Sequence, residues 1–249
     1  MKLTTATLFI LALFSVSASA FTSQLLVSAT VNQDGTASVT ETITITHYNQ
    51  TDVQFFDEVA RRVEERGNAF EAWQTYNAYF GYHIQSGSPN NTRVISKRES
   101  TPCGVCTSEI VLKYDVTQPI MTSEKVNERT TRFTLDNSKL AFTTSQSKET
   151  VIPPDEALEI ILPRESILIT AEPEPSNGLD TAKKEKIVLW RGRVTGKLEM
   201  VYEIERPLAL EVTQFFVQLY NDALAWAPLL VLGAFALFAA WRIVKIREK

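Results

Sequence analysis

Cysteine and histidine are scarce in this chain, which has two of each among its 249 residues. That scarcity argues against a dense disulfide scaffold and a multi-histidine metal centre, and we expect neither a metal nor a cofactor. The formal net charge of -4 gives no electrostatic basis for binding nucleic acid. Without a Gly-x-Ser-x-Gly turn, a glycine-rich phosphate loop or a His-Glu-x-x-His helix, the sequence predicts no catalytic residue and a protein that is not an enzyme.

The first 20 residues have the pattern of a secretory signal peptide. A basic start at Met1-Lys2 is followed by an apolar stretch from Leu8 to Phe14 and by the small-residue triplet Ala18-Ser19-Ala20. The apolar stretch is too short to cross a bilayer, which needs about 20 residues. We therefore predict cleavage between Ala20 and Phe21 and export of the remaining chain.

A second apolar segment, residues 223–241, contains no charged residue. Trp226 and Trp241 lie near its ends, where amphipathic rings prefer the lipid headgroups. This pattern predicts a transmembrane helix, preceded by a juxtamembrane helix over 208–222 and followed by a cytoplasmic tail over 242–249. The tail carries four basic residues, which are Arg242, Lys245, Arg247 and Lys249. We expect a single-pass type I protein of the cell membrane, with its ectodomain outside and its C-terminus in the cytoplasm.

The predicted ectodomain, residues 21–207, begins with a β-hairpin. Val27, Ala29 and Val31 alternate with polar residues, and the same period recurs in the run from Ala37 to Ile45. Between the two runs lies Asp34-Gly35, a dipeptide typical of tight hairpin turns. A half-buried antiparallel pair of strands is the expected structure.

A helical insertion over about 51–80 interrupts the strands. Phe56, Val59, Ala60 and Val63 follow the spacing of an amphipathic helix, and a second helix is expected from Ala69 to Phe80. The aromatic residues of that second segment either cover one end of a sandwich or bind a ligand. The candidate binding residues are Phe70, Trp73, Tyr76, Tyr79 and Phe80.

After Tyr82 the pattern returns to short strands separated by turns, which is typical of a β-sandwich. The expected strands are 93–98, 108–116, 129–135, 139–144, 157–162, 166–170, 186–190 and 197–205, and a solvated loop is expected over 173–185. Residues near 152 either divide the ectodomain into two β domains or form one long connection. The predicted fold class is mainly β, with a β-sandwich-like ectodomain, a helical insertion and a C-terminal transmembrane helix.

Cys103-Gly104-Val105-Cys106 is the sharpest local motif. Because Ile110, Leu112 and Tyr114 alternate behind it as a strand, we predict a disulfide between Cys103 and Cys106 at a hairpin tip. A redox role needs a helix after the first thiol, and zinc needs ligands beyond these two cysteines. The sequons at Asn49 and Asn90 are candidate glycosylation sites of an exported chain.

Two short runs carry a resemblance to a wider group of proteins. They are Asp34-Gly-Thr-Ala-Ser-Val-Thr-Glu41 and the segment from Leu189-Trp190-Arg191-Gly192 to Tyr202. In these runs and in its architecture the chain resembles uncharacterised exported proteins of prokaryotes, particularly archaea, which combine a β-sandwich ectodomain with a single membrane anchor. The resemblance implies no functional residue.

The expected function is that of a membrane-anchored surface protein with a structural, adhesive or accessory-subunit role. One alternative is an extracellular module that binds a ligand or glycan, and another is a thiol oxidoreductase using the two cysteines. The expected partners are the lipid bilayer and a protein partner or a second copy of the chain.

Overall fold

The computed structural model describes residues 21–65, 70–98, 105–144 and 150–205, together with 212–213, 216–217, 232–235 and 238. Most of these residues are in strands, and the mainly β, sandwich-like character predicted from the sequence is confirmed. The predicted cleavage site at Ala20, the aromatic anchors Trp226 and Trp241 and the basic tail over 242–249 lie outside the described residues.

The predicted hairpin is confirmed. Strand β1 (Phe21–Val31) pairs antiparallel with β2 (Ala37–His47) over its whole length, so that Phe21 lies opposite His47. Gly35 adopts a φ of 83° in the turn, a left-handed conformation that glycine adopts at little cost. The Asp34 carboxylate accepts a hydrogen bond from the Thr36 amide at 3.0 Å and fixes the turn.

Both strands belong to a six-stranded sheet with the order β11-β9-β1-β2-β4-β3. Its pairs are antiparallel except for β1 and β9, which run parallel. The remaining strands of this sheet are β3 (Pro89–Arg98), β4 (Cys106–Val116), β9 (Glu156–Ile161) and β11 (Ile187–Arg191). In β1 and β2 one side-chain face is buried and the other is intermediate or exposed, as their alternation predicts.

A four-stranded sheet supplies the other half of the core, with the order β10-β13-β6-β5. Its strands are β5 (Met121–Lys125), β6 (Thr130–Leu135), β10 (Ser166–Glu172) and β13 (Glu199–Glu205). Val27 of the first sheet and Tyr202 of the second belong to one buried apolar cluster, as expected for a sandwich. A small third sheet contains β7 (Thr143–Thr144), β8 (Thr150–Ile152) and β12 (Val194–Gly196).

The predicted helical insertion is present but shorter than expected. Helix α1 (Gln50–Glu65) buries Val53, Phe56, Val59 and Val63, which lie on one face. The segment after it forms only a 3₁₀ helix (Phe70–Thr75), in place of the longer helix expected up to Phe80.

Two local predictions were wrong. The expected loop over 173–185 ends in a helix, α2 (Leu179–Glu185), which buries Ala182 alone. The expected strand over 139–144 is replaced by a 3₁₀ turn (Asn137–Lys139) and the two-residue β7. The Asp136 side chain accepts from the Ser138 amide and caps that turn, which diverts the backbone from a strand.

The predicted transmembrane element is not supported, and the fold class is corrected accordingly. Among the residues that the structure describes, no helix is both long and apolar enough to cross a bilayer. Only 232–235 and 238 of the expected span 223–241 belong to those residues. The uncharged composition of a segment does not by itself establish a continuous helix of the length that a bilayer requires.

The chain divides into two compact units. One contains Met1–Asn127 and Thr131–Ile204, and the other contains Glu128–Thr130 and Glu205–Lys249. The six-stranded sheet and the side chains of the candidate site lie in the first unit.

Candidate functional site

Aromatic side chains converge where β1 begins and β2 ends. The ring of Tyr76 lies at their centre, with centroids 5.0 Å from Phe21, 5.8 Å from Phe55, 5.9 Å from Phe56, 6.1 Å from Trp73 and 6.4 Å from His47. These six residues form what we call the aromatic end. They bring together three separate segments, namely the hairpin, α1 and the 3₁₀ helix.

Local sequence explains how α1 reaches this position. Asn49 follows β2 almost directly and caps the helix, since its side-chain oxygen accepts from the Asp52 amide at 2.9 Å. The apolar side of the helix then turns Phe56 inwards against His47, with ring centroids 5.6 Å apart. Arg98 of β3 donates to Asp57 at 2.8 Å and ties the helix to the sheet.

The candidate binding residues take different places at this end. Trp73 and Phe80 are fully buried, and Tyr76 is nearly so, whereas Tyr79 is 62% exposed. The side chain of Phe70 lies outside the described residues. Sequence reasoning missed two further exposed rings, Tyr48 at 52% and Phe55 at 46%.

Four polar atoms within or beside the aromatic end have no hydrogen-bond partner among the described residues. They are His47 Nδ1, Asp52 Oδ2, Trp73 Nε1 and the Tyr76 hydroxyl. His47 is anchored only by its other nitrogen, which lies 2.9 Å from the Ser108 hydroxyl. We refer to these four side chains as the His47 cluster.

The Asp52 carboxylate acts electrostatically on both His47 and Tyr76. Burial lowers the pKa of His47, and the negative charge of Asp52 opposes that shift. Burial also raises the pKa of Tyr76, and Asp52 adds to this effect. At neutral pH the cluster therefore contains a neutral imidazole, a neutral phenol and an indole N–H that can only donate.

A second buried polar cluster has the opposite character. The Glu41 carboxylate of β2 accepts from the His83 amide at 2.6 Å and from the Tyr114 hydroxyl at 2.8 Å. Its other oxygen lies 2.9 Å from His83 Nδ1. The Tyr114 hydroxyl in turn accepts from the Ile84 amide at 3.1 Å. Glu41, His83 and Tyr114 form the Glu41 cluster, and both Glu41 oxygens and the Tyr114 hydroxyl are bonded within it.

Burial dominates the electrostatics of the Glu41 cluster. It raises the pKa of Tyr114, and the negative charge of Glu41 adds to the shift. Burial also raises the pKa of Glu156 in β9, while His83 acts in the opposite direction. The cluster holds a loop against two strands, and its geometry offers no unpaired group on Glu41 to an incoming molecule.

The sequence carries one sign of this cluster, a charged residue at a buried position. Glu41 stands between Val39 and Ile43 on the buried side of the β2 alternation. A charged residue at an inward position is rarely left unpaired, so it predicts a partner elsewhere in the chain. That partner, His83, is 42 residues away and could not be named from the pattern.

The remaining predicted site residues are placed as follows. Cys106 is buried at the start of β4 and is not a free thiol. Cys103 lies outside the described residues, so the pairing of the two stays a prediction. Asn49 and Asn90 are exposed, and their glycosylation also stays a prediction.

Three cavities lie on the described part of the chain. One of about 250 Å³ is lined by Lys97, Arg98, Thr107 and Glu109, on β3 and β4. One of about 230 Å³ opens on the outer face of the six-stranded sheet and is lined by Gln24, Thr42, Thr44, Asp155 and Arg191, among others. Another of about 180 Å³ lies beside Tyr82 and Ile84. The rings of the aromatic end fill their own space, so a ligand there must meet an outer surface or displace side chains.

Neither a family model nor a curated protein matches this chain. Among solved structures, the chain is similar to the folded domain of LppM from Mycobacterium tuberculosis, determined by NMR. That match has 9% identity and a TM-score of 0.27, and it covers 74% of this chain and 89% of the other. A second match, to the Fcho1 mu homology domain from Danio rerio with a bound Eps15 peptide, has 11% identity and a TM-score of 0.18, with 75% and 78% covered. Similarity this low supports no inference about function.

Proposed function

We propose that this protein is an exported, non-catalytic binding module that acts at the cell surface in an adhesive or accessory role. The aromatic end is its contact surface. The observation that carries the proposal is the exposure of Phe55 in the aromatic end, together with that of Tyr48 and Tyr79, which follow β2 and the 3₁₀ helix in the chain. Export is supported by the signal-peptide pattern of residues 1–20.

Exposed aromatic rings favour binding because each one gains a large hydrophobic free energy when a partner covers it and removes its apolar area from water. Tyrosine and phenylalanine combine a large apolar area with few rotatable bonds, and they are enriched at the energetic centres of interfaces. Phe55 packs on one side against Tyr76, so its position is supported from within the fold. A supported ring loses less conformational entropy on binding than a free one.

The Glu41 cluster supports the non-catalytic part of the proposal. Its carboxylate bonds to the backbone amide and the imidazole of His83 and to the hydroxyl of Tyr114 inside the core. An acid–base residue must reach the substrate proton, and a Glu41 carboxylate committed in this way would have to break several bonds to do so.

Site-specific photo-crosslinking tests the proposal directly. A benzophenone amino acid replaces Tyr79 in the full chain, and the purified protein is irradiated with envelope material from the source cells. We expect covalent adducts with one recurring component. A matched variant carries the same group at Ile167 of β10, which is 50% exposed and lies in the other sheet.

Adducts of equal yield and identity at positions 79 and 167 would contradict the proposal, because both would then report non-specific contact. Absence of adducts at 79 contradicts it as well. If the recurring component is a protein, the aromatic end is a protein interface. If it is an envelope polymer, the adhesive role is supported.

A further inference from the structure

The two edge strands of the six-stranded sheet differ in how their outward backbone groups are bonded. At the β11 edge, the Ser176 amide donates to the Leu189 carbonyl at 2.6 Å, and the Asn177 side-chain amide donates to the Ile187 carbonyl at 2.8 Å. The Ser176 hydroxyl accepts from the Arg191 amide at 2.8 Å. The loop before α2 therefore closes this edge to a further strand.

The ladder of the sheet identifies the backbone groups that face outward at the opposite edge, on β3. Leu25 of β1 donates its amide to the carbonyl of Asp155, just before β9, so the alternate residues of β1 bond to β2. Successive residues of an antiparallel strand direct their N–H and C=O to opposite sides, and the printed registers carry this alternation through β2 and β4. On β3, Ile95 therefore bonds to β4, whereas Val94 and Ser96 direct both groups to the free edge.

The outward groups of Val94 and Ser96 have no hydrogen-bond partner within the part of the chain that the structure describes. β3 is the last strand of its sheet and pairs with β4 alone among the described strands. Ser96 is exposed and Val94 is half-buried. An unpaired edge of this kind is a template on which an extended segment adds as a further strand through main-chain hydrogen bonds.

The side chains beside this edge are basic. β3 contains no acidic residue, and on the outer face of the sheet its Arg93 lies directly opposite Lys113 of β4. None of the ion pairs among the described residues includes Arg93, Lys97 or Lys113. Like charges directly opposite each other destabilise a pair of strands, and a carboxylate placed beside them relieves the repulsion. The charge of this edge therefore favours an acidic segment.

Cavities border both ends of β3. One of about 250 Å³ lies at its C-terminal end, beside Lys97. Another, of about 180 Å³, reaches Pro89 at its N-terminal end. In strand addition the main-chain hydrogen bonds supply affinity, and pockets that receive alternate side chains supply specificity. The β3 edge provides both.

We propose that β3 binds an extended acidic segment of a partner protein, which joins the six-stranded sheet as a seventh strand. The residues of this segment opposite Arg93, Ile95 and Lys97 lie on the outer face, because side chains alternate along a strand. Carboxylates suit the two basic positions, and an apolar side chain suits the half-buried Ile95. The segment therefore has the pattern acidic-x-apolar-x-acidic. A second copy of β3 does not fit, since self-pairing brings two basic strands together. This surface is separate from the aromatic end, so the inference goes beyond the proposed function.

The test measures the binding of defined peptides to the full chain by fluorescence anisotropy. The first peptide has eight residues and blocked ends, with glutamate at its second and sixth positions, valine at its fourth and threonine elsewhere. We expect it to bind, and we expect a peptide with lysine in place of both glutamates to bind about tenfold more weakly. A third peptide keeps the glutamates but carries N-methyl groups on its third and fifth residues. It lacks the N–H groups that face β3 and should also bind about tenfold more weakly.

Variants of the chain locate the binding surface. Arg93→Glu places a carboxylate opposite Lys113, which should preserve the fold and weaken binding of the glutamate peptide about tenfold. Lys125→Glu is the matched control, because Lys125 is exposed on β5, the edge strand of the other sheet, and its affinity should be unchanged. Ser96→Pro removes one outward N–H without removing a bond to β4, since proline is tolerated at sheet edges. It should weaken binding too, with circular dichroism as the check on folding.

Three results would overturn the inference. The first is the absence of binding by the glutamate peptide. The second is equal affinity for the N-methylated peptide, which would mean that β3 attracts anionic polymers or lipids through charge alone. The third is an equal loss of affinity in Arg93→Glu and Lys125→Glu, which would report the net charge of the protein and not a site on β3.

Discussion

The two buried polar clusters lie on the same face of one strand and differ in how completely they are bonded. Glu41 and His47 are six positions apart on β2, which places them about 20 Å from each other along the strand. In the Glu41 cluster both carboxylate oxygens and the phenol are bonded. In the His47 cluster four polar atoms are unpaired among the described residues.

The two clusters should therefore differ in how much they contribute to the free energy of unfolding. A completed network fixes a loop to a sheet. Removing one member leaves the other groups buried without a hydrogen-bond partner, which costs their full desolvation free energy. An incomplete cluster stabilises the free protein less than an apolar one would. On this account the Glu41 cluster stabilises the fold more than the His47 cluster does.

Glu41→Ala should give the largest effect. It leaves His83 Nδ1, the His83 amide and the Tyr114 hydroxyl without their acceptor, and we expect a loss of about 3–5 kcal/mol in the free energy of unfolding. Urea denaturation followed by circular dichroism measures it. Glu109→Ala, at an exposed position of β4, should stay close to wild type. Similar losses of unfolding free energy in the two variants would show that the Glu41 cluster contributes no more to stability than an exposed carboxylate does.

Glu41→Gln tests whether charge or shape holds that cluster. The amide keeps one acceptor oxygen but places an NH₂ group where an acceptor is needed. We expect a loss of about 1–3 kcal/mol, the cost of one buried group left unpaired. The same urea titration measures it, and a stability equal to that of Glu41→Ala would indicate that charge alone matters.

The pH dependence of stability should show the effect of protonating His47. Because burial lowers its pKa in the folded state, the unfolded chain takes up the proton first as the pH falls. The stability contribution of the neutral imidazole is complete above about pH 6.5 and is lost as the pH falls through the folded pKa. Glu156, with its raised pKa, acts in the opposite sense. The measurement is therefore the difference between wild type and His47→Gln from pH 7.5 to 5, and parallel curves would contradict this assignment.

Asp52→Asn should have only a small effect on the stability of the protein. The unpaired Oδ2 has no partner to lose, and only the favourable interaction of a carboxylate with the first turn of α1 disappears. We expect a loss of about 0.3–1 kcal/mol. Compared with Glu41→Gln, the same chemical change tests the two clusters in parallel. A larger loss of unfolding free energy for Asp52→Asn than for Glu41→Gln would contradict the expected order of the two clusters.

Much of the fold could be predicted from the sequence where periodicity was strong. The first hairpin, α1 and most strands after residue 90 follow from alternation or from a continuous apolar face. Helix α2 was missed because it buries only Ala182, which leaves no periodic pattern to recognise. The membrane span was predicted from composition alone, and no described helix supports it.

The candidate site could be predicted only in part from the sequence. The density of aromatic residues around Trp73 pointed to this region, but which rings are buried depends on contacts with Phe21 and α1. His47 and Glu41 both occupy inward positions of β2, which could have marked them as members of polar clusters. Their partners are set by tertiary packing, which local patterns do not contain.

The most direct test of the account compares two tyrosines that lose the same atom. Tyr114→Phe removes a hydroxyl that bonds to Glu41 and Ile84, and Tyr76→Phe removes one without a described partner. Urea unfolding of the ligand-free variants should show a loss of about 1–3 kcal/mol for Tyr114→Phe and no loss or a small gain for Tyr76→Phe. Equal losses, or a larger one for Tyr76→Phe, would contradict the distinction between a fully bonded and an incompletely bonded cluster.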